Sequence, residues 1–450
     1  MAVDTIVART TPHGRGGVAI VRLSGPQSGK IATVLAGSLP APRQAELRSF
    51  KNADDQVIDS GLLLFFRAPH SFTGEDIAEF HCHGSPVVVD MLLARAMQLG
   101  ARMALPGEFS QRAFLNERID LAQAEAIADV IDASSDQAAL SAQRVLQGDF
   151  SRRLHQLAAQ LTELRVYIEA ALDFPDEEID FLADQHLVKR VDDLQQAIDN
   201  IAGSAQQGQL LRDGIKAVIS GPANVGKSTL LNALAGQQRA IVTDIAGTTR
   251  DLLRETLIIN GLPMEIIDTA GLRESEDPVE QAGILLAQGA MQSADLLLII
   301  EAIDGDTDQR QPLSRAMETI PRRVKQISVI NKIDIAGSPP RVNRENGAVQ
   351  VQLSAKTGEG LDLLRSEIEK AAGYHPGEEG VFIARRRHLD VLRRVSESVS
   401  RGRMALQRLG AGELLAEELR VSQVALGEIT GEVTPDDLLG EIFSNFCIGK

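Results

Sequence analysis

The chain has few cysteines, no long apolar run and no excess of positive charge, and each lack removes a class of protein. Only Cys82 and Cys447 occur in 450 residues. They stand too far apart to suggest a disulfide framework. No apolar run exceeds the length of Leu296 to Ile300, which is far too short to span a bilayer. Met1 to Arg9 carries neither a basic n-region nor an apolar h-region, so no signal peptide is expected. The formal net charge is −16. Such a surface does not draw in nucleic acid through its bulk field, and any RNA contact needs a local basic patch or a basic partner. Aromatics are scarce, with no Trp and two Tyr. What remains is ordinary globular composition, 44% hydrophobic and 24% charged. The length suits two or three domains. A cytoplasmic protein with no membrane attachment is expected.

What is present is a complete P-loop. Gly221, Gly226, Lys227 and Ser228 fit G-x-x-x-x-G-K-[ST]. Glycines let backbone N–H groups approach phosphates without a Cβ in the way. Lys227 supplies a point charge to the β/γ-phosphates, and the Ser228 hydroxyl can hold Mg²⁺. Ile215 to Ser220 reads as the preceding strand. Ser228 to Leu234 opens a helix, whose N-terminus favours anions.

Three more motifs follow in order, each after a short apolar run. Asp268-Thr269-Ala270-Gly271 follows Met264 to Ile267; Asp268 can reach the Mg²⁺ shell and the Gly271 N–H the γ-phosphate. Asn331-Lys332-Ile333-Asp334 follows Ile327 to Ile330. The Asp334 carboxylate matches guanine's N1–H and 2-amino donors, and would be repelled by the acceptor at adenine N1. Ser354-Ala355-Lys356, after Val349 to Leu353, suits a backbone contact to the guanine carbonyl. Each tetrapeptide alone is weak. Four in fixed order, each at a strand end where open α/β sheets bind ligands, specify a GTP site.

Leu272 stands where small switch GTPases carry a glutamine that orients the attacking water. Leucine cannot do that, which leaves two readings open: one of Glu274, Glu276, Asp277 or Glu280 acts, or hydrolysis is slow and these carboxylates are a solvated loop. Between the P-loop helix and Asp268 lies Thr243 to Asp251. A threonine there can complete the Mg²⁺ shell as an ordering switch, and Thr248 and Thr249 are both eligible.

Around this core the texture is mixed. Val18 to Leu23 and Gly61 to Phe66 read as strands, and Ser85 to Leu99 as a helix. Ile119 to Gln147 has no Gly or Pro. Leu154, Leu157, Leu161, Leu164 and Ile168 form one helix face. Pro175 and the acids that follow interrupt it. A helix from about Leu187 to Ile201 comes next, and Gln206 to Gly208 reads as a linker. Helical periodicity returns at Leu389, Leu392, Val395 and Val399, and again from Leu414 to Leu426. Neither helical flank alone makes a good core, so one helical domain carrying an inserted nucleotide domain is expected. The limits are 1–118, 119–208, 209–375 and 376–450. His81 and His83 share a strand face, opposite Cys82, with no second ligand cluster to make a metal site. Arg385-Arg386-Arg387-His388 is either a solvated helix start or a phosphate contact. Cys447 is either a small buried hydrophobe or a reactive thiol. Gly449 and Lys450 do not make a prenylation box with it.

The chain resembles the MnmE (TrmE) family of tRNA modification GTPases over essentially its whole length. The residues that carry this are Gly14-Arg15-Gly16-Gly17, Phe72-Thr73-Gly74-Glu75-Asp76, Pro106-Gly107-Glu108-Phe109, Leu121-Ala122-Gln123-Ala124-Glu125-Ala126, Gly247-Thr248-Thr249-Arg250-Asp251 and the terminal Cys447-Ile448-Gly449-Lys450. The resemblance implies an α/β plus α fold. An N-terminal α/β domain would bind a tetrahydrofolate and dimerise, and a helical domain would carry a Ras-like G domain. It implies a homodimer that works with the FAD protein MnmG, as a heterotetramer, on tRNA. The expected product is a (carboxymethyl)aminomethyl group at C5 of the wobble uridine, U34, with 5,10-methylenetetrahydrofolate or a relative as one-carbon donor.

By the same resemblance, GTP contacts fall on Asn224, Val225, Gly226, Lys227, Ser228 and Thr229, on Thr243, Asp244, Ile245, Ala246, Gly247, Thr248 and Thr249, and on Asp268, Thr269, Ala270 and Gly271. The base contacts are Asn331, Lys332, Asp334, Ser354, Ala355 and Lys356. Ser228 and Thr249 match the Mg²⁺ ligands; Asn224, Thr243, Ile245 and Thr248 match the K⁺ ligands. Glu280 matches the acid that acts through water, and Cys447 is assigned to the modification chemistry. The folate contacts match Arg22, Glu79, Arg118 and Lys450. Many relatives have lysine at the position of Arg118; the charge is kept but the fork geometry differs. A regulatory or ribosome-assembly switch GTPase is the rival reading. The G domain fits it, while the N-terminal domain and the Cys447 tail do not.

Overall fold

The structure, a computed structural model, describes residues 4–173, 185–222, 224–236, 254–268, 294–304, 324–345, 348–377, 380–433, 436–444, 446 and 448–449. The chain divides into two compact units. One comprises Met1–Ala128, Leu146–Asp184 and Arg401–Lys450; the other comprises Asp129–Val145 and Gln185–Ser400. Among the described residues no helix is long and apolar enough to cross a membrane.

The first unit is built on six strands: β1 (Ile6–Arg9), β2 (Gly16–Ser24), β3 (Glu46–Lys51), β4 (Val57–Phe66), β5 (Ile77–Gly84) and β6 (Arg102–Met103), in the order β3-β4-β5-β2-β1-β6. Strand alternation sorts side chains between two faces. Val21, Leu23, Phe80 and Cys82 pack against Ile31 and Leu35 of the helix Ser28–Ala36 and against Val89 and Leu92 of the helix Pro86–Gln98. On β5 the alternate residues Glu79 and His81 are half-buried and His83 is exposed. The histidines take carboxylate partners: His81 meets Glu79 at 3.4 Å and His83 meets Asp59 at 2.8 Å.

The helical part of this unit follows its pattern. The helix Asp149–Asp173 buries Leu154, Leu157, Leu161, Leu164 and Ile168. It packs with the helix Gly412–Thr430, where Gln423 donates to the Thr162 hydroxyl at 2.9 Å and accepts from Arg165 at 3.1 Å.

The second unit holds β7 (Ile215–Ser220), β8 (Arg254–Ile259), β9 (Leu262–Asp268), β10 (Leu296–Ala302), β11 (Lys325–Asn331), β12 (Arg341–Glu345) and β13 (Ala348–Gln352), in the order β12-β13-β11-β10-β7-β9-β8. The five strands in the order β9-β7-β10-β11-β13 are parallel, and the edge strands β8 and β12 are antiparallel to their neighbours. A parallel strand covered on both faces reads as an unbroken apolar run, and Leu296 to Ile300 are all buried. The order of strands puts β7, β9, β11 and β13 with their carboxyl ends on one edge.

One expectation is overturned here. The helix read as ending near Ile201 runs from Gln185 to Asp213, straight through Gln206 to Gly208. Gly208 is a packing residue. A Cβ built on it would lie 1.5 Å from the Phe382 carbonyl oxygen, so glycine lets that backbone come close. Glutamines and a glycine resemble a linker by composition, but Gln207 is buried, donating to Gly373 O at 2.7 Å and accepting from His375 N–H at 2.9 Å.

Candidate functional site

β7 delivers the P-loop and the helix Lys227–Ala235 carries it away. Two glycines are forced by close approach. Gly221, at φ 155°, would place a Cβ 2.2 Å from Ile300 O on the neighbouring strand. Gly226, at φ 94°, would place one 2.5 Å from the Asn331 amide nitrogen. Asn224 sits at φ 63°, in the left-handed region that asparagine tolerates. Lys227 Nζ donates to Gly221 O at 2.7 Å and Pro222 O at 3.0 Å, so the ammonium lies across the loop's own carbonyls. Ser228 and Thr229 are exposed on the first turn of the helix, with Val225 buried beneath.

Asn331 ties the parts together. It ends β11 and is 3% exposed. Its amide nitrogen donates to Val225 O at 2.8 Å, and its oxygen accepts from Ala355 N–H at 2.9 Å. One side chain thus spans from the P-loop to the 354–356 loop. Asp334 is exposed in the first turn of the helix Ile333–Ala336 and accepts from the buried Ser354 hydroxyl at 2.7 Å. Lys332 stands before that helix at φ 67°. Lys356 is exposed beside Ala355. The bridging role of Asn331 was not read from the sequence; its signal was the asparagine, a two-sided side chain, at the buried end of an apolar strand.

Asp268 ends β9, its backbone in register with Ile219 of β7. Thr243, Asp244, Ile245, Ala246, Gly247, Thr248, Thr249, Thr269, Ala270, Gly271, Glu280, Cys447 and Lys450 lie outside the described residues.

A second constellation occupies the N-terminal sheet. Arg22 on β2 and Glu79 on β5 are directly paired in register and joined at 2.8 Å. The Arg22 guanidinium lies over the rings of Phe72, at 5.7 Å, and Phe109, at 5.6 Å, a cation–π contact with each. Arg118 is exposed; its stem borders Gly74, whose added Cβ would meet Arg118 Cγ at 3.3 Å. Arg22 and Arg118 therefore flank one segment, at Phe72 and at Gly74. Lower in the same unit, Glu108 joins Arg102 and Arg112, which also hold Asp4, and Arg112 reaches Glu75 at 3.1 Å. Burial alone would raise the Glu108 carboxyl. Hydrogen bonds from Arg102, the Leu105 N–H and Arg112 outweigh it and hold it below the ordinary carboxylate range.

The C-terminal tail docks on this unit. Ile448 bridges to Pro106, and Gly449 is buried with its Cα so close to Arg9 that a Cβ would lie 2.2 Å from that carbonyl. Gly107, at φ 66°, faces the Phe443 carbonyl, 2.6 Å from where its Cβ would be. Leu121 and Ala124 pack with Ile442, Phe443 and Phe446. Arg9 pairs with Val21, next to Arg22.

The basic run 385–388 is split, with Arg386 exposed and its neighbours partly or fully buried. His388 is 2% exposed and accepts the Arg385 N–H, and Arg385 joins Arg212 on the buried Asp129, at 3.0 and 2.9 Å.

Comparison with known proteins covers the chain. The model for the N-terminus of the GTP-binding protein TrmE matches residues 5–118, and that for the MnmE helical domain matches residues 121–447. A protein named tRNA modification GTPase MnmE from Methylococcus capsulatus is 54% identical over 99% of this chain and 99% of its own. Proteins of the same name from Stutzerimonas stutzeri and Pasteurella multocida are 54% and 51% identical, over 100% and 99% of this chain and 99% and 100% of their own. The solved G domain of the T. maritima FeoB iron transporter is similar at 25% identity and a TM-score of 0.28, over 35% of this chain and 98% of that one.

Proposed function

Because this chain belongs to the MnmE (TrmE) family of tRNA modification GTPases, we propose that it hydrolyses GTP in the service of modifying the wobble uridine of tRNA. The observation that carries the GTP reading is the Asn331 amide, which joins the P-loop to the 354–356 loop while Asp334 and Ser354 stand paired beside it. Asp334 would accept from guanine N1–H and the 2-amino group. Lys227 would turn from its loop carbonyls to phosphate oxygens, a small movement for a flexible stem. The exposed Ser228 hydroxyl at the helix N-terminus fits a Mg²⁺ ligand, with Thr249 as the second; the ion supplies charge neutralisation on the phosphates. The left-handed turn at Asn224 leaves its amide exposed, and that fits a K⁺ shell completed by Thr243, Ile245 and Thr248. Glu280 acts through water, in place of the glutamine that Leu272 replaces.

The folate reading rests on Arg22. A guanidinium held by Glu79 against two aromatic rings presents a fixed positive edge, which suits the anionic pteridine-glutamate ligand, with Arg118 and Lys450 as the further contacts. Gly449 against Arg9 supports a tail that reaches the pocket of its own chain. In this reading a tetrahydrofolate supplies the carbon, Cys447 serves the modification step, and an FAD protein of the MnmG kind supplies the redox chemistry. The chain works in the cytoplasm as a homodimer within a heterotetramer. The proposed arrangement is a folate domain over 1–118, helical parts over 119–208 and 376–450, and an inserted G domain over 209–375. The junction at 208/209 then falls within the helix Gln185–Asp213.

The test is mass spectrometry of tRNA nucleosides from cells lacking the protein and from cells carrying Cys447→Ser. The (carboxymethyl)aminomethyl nucleoside should vanish in both. Normal levels without the protein overturn the reading and leave a switch GTPase; normal levels in Cys447→Ser alone remove the thiol from the chemistry. Serine keeps the size but is a far weaker nucleophile at neutral pH.

A further inference from the structure

We propose that a basic surface cavity at Arg43, Arg67 and His70 holds the phosphate backbone of the tRNA; this rests on the reading of the substrate just given. The cavity measures about 520 Å³ and is lined by Pro42, Arg43, Arg67, Ala68 and His70. Three of its five lining residues are basic and none is acidic. All of them are exposed. In a chain of net charge −16, a polyanion is repelled by the surface at large and needs a local positive site.

The site is built rather than incidental. Arg43 is held by its own backbone, its N–H donating to Phe65 O at 2.8 Å, and by Nη2 donating to His70 O at 3.0 Å. His70 N–H donates to Arg67 O at 2.9 Å, closing the turn. Ala68 N–H donates to Asp76 at 2.9 Å, which fixes the turn to the start of β5 and occupies a carboxylate on this loop. Among the described residues, neither the Arg67 guanidinium nor the His70 ring has an ion-pair or hydrogen-bond partner. Most arginines of this unit do have one: Arg22, Arg102, Arg112, Arg152 and Arg401 all pair with carboxylates. Arg67 is thus a strong, planar donor left for an outside acceptor.

Position gives the cavity its use. The same loop continues from His70 to Phe72, which stacks on Arg22. Two residues span at most about 7 Å, and the five from Arg67 to Phe72 at most about 18 Å. A nucleotide whose base is presented to the Arg22 pocket has flanking phosphates within that reach. The contact is to backbone phosphate and carries no sequence preference; it places the RNA and leaves base choice to the pocket.

The experiment uses the full chain and an unmodified substrate tRNA, with affinity measured across a salt series. Each phosphate contact adds about 0.7 to the slope of log K against log salt for a single strand. Losing one contact therefore lowers the slope by about 0.7 and weakens binding about fivefold at 0.1 M salt, relative to 1 M. Arg67→Ala should do this. Arg43→Ala should do at least as much, because it also frees the turn at His70. Arg67→Lys should restore most of the affinity and the slope, since a lysine keeps the charge. Because the exposed Arg67 side chain makes no hydrogen bond or ion pair among the described residues, the melting temperature of Arg67→Ala should match wild type, which separates lost binding from lost folding. Wild-type slope and affinity in Arg67→Ala overturn the proposal and leave the modification reading intact. Failure of the unaltered protein to bind tRNA, alone or with its FAD partner, overturns both.

Discussion

Asn331→Ala should loosen the whole nucleotide site, because one buried amide holds two loops. Its nitrogen serves Val225 O at 2.8 Å and its oxygen serves Ala355 N–H at 2.9 Å. Val225 and Ala355 are each 6% exposed, so alanine strands a carbonyl and an N–H away from water. Each stranded group costs about 1–3 kcal/mol, giving about 2–6 kcal/mol for the pair. The two units of the chain make a single global transition a poor readout. Hydrogen exchange of peptides over 215–236 and 325–336 reads the site directly. A loss of about 3 kcal/mol lowers protection there roughly 100-fold, and it should do so before any nucleotide is added. Asp334→Ala is the control. Its carboxylate is exposed and its loss leaves one hydroxyl, that of Ser354, without an acceptor, so protection should fall much less than in Asn331→Ala while guanine nucleotide binding falls. Unchanged protection in Asn331→Ala, or equal loss in Asp334→Ala, would refute the bridge.

Asp334→Asn should weaken GTP binding about 100-fold and favour xanthosine triphosphate, whose base offers the acceptor an amide can meet; competition between the two nucleotides checks it. Glu280→Ala should cut turnover about 100-fold or more with GTP affinity nearly intact, and lost affinity with normal turnover would count against the assignment. Hydrolysis should run faster in K⁺ than in Na⁺ at matched ionic strength; equal rates would remove Asn224 from a cation shell. Glu108 gives a pH test. Its folded carboxyl is held low, so its contribution to stability is present above the ordinary carboxylate value of 4.5 and is lost as pH falls through the lower folded value. Glu108→Gln should cost the N-terminal unit about 3 kcal/mol at neutral pH and flatten its acid limb, seen in denaturant melts between pH 3 and 7.

The nucleotide site was legible because its information is local. A P-loop is eight consecutive residues, and the strands that deliver it are short apolar runs whose ends mark the site. β7 occupies the expected Ile215 to Ser220, and β11 and β13 end within a residue of expectation. The helix face from Leu154 to Ile168 was legible for the same reason, being one period repeated. What stayed hidden was function shared between distant residues. Asn331 looked like one letter of a base-recognition motif, yet its atoms are spent on Val225 and Ala355, 106 and 24 residues away.

The glycines make the same point more sharply. Gly208 and Gly107 carry opposite local signals, one after two glutamines and one inside a recognisable Pro-Gly-Glu-Phe. Both are glycine because another backbone comes within reach of a Cβ: Phe382 O at 1.5 Å and Phe443 O at 2.6 Å. Composition cannot distinguish a glycine that frees the chain from one that lets a second chain segment in, since both lack the same atom. At Gly107 the approaching segment leads to Phe446, Ile448 and Gly449, so Pro106-Gly107-Glu108-Phe109 acts as a seat. Pro106 bridges the tail, Gly107 admits the helix before it, Glu108 locks Arg102 and Arg112, and Phe109 lies under Arg22. Four adjacent residues therefore fix the tail and the Arg22 pocket on one segment. A tail seated by backbone approach tolerates no side chain at Gly107 or Gly449, and those two positions, more than Ile448, decide whether it can stay there.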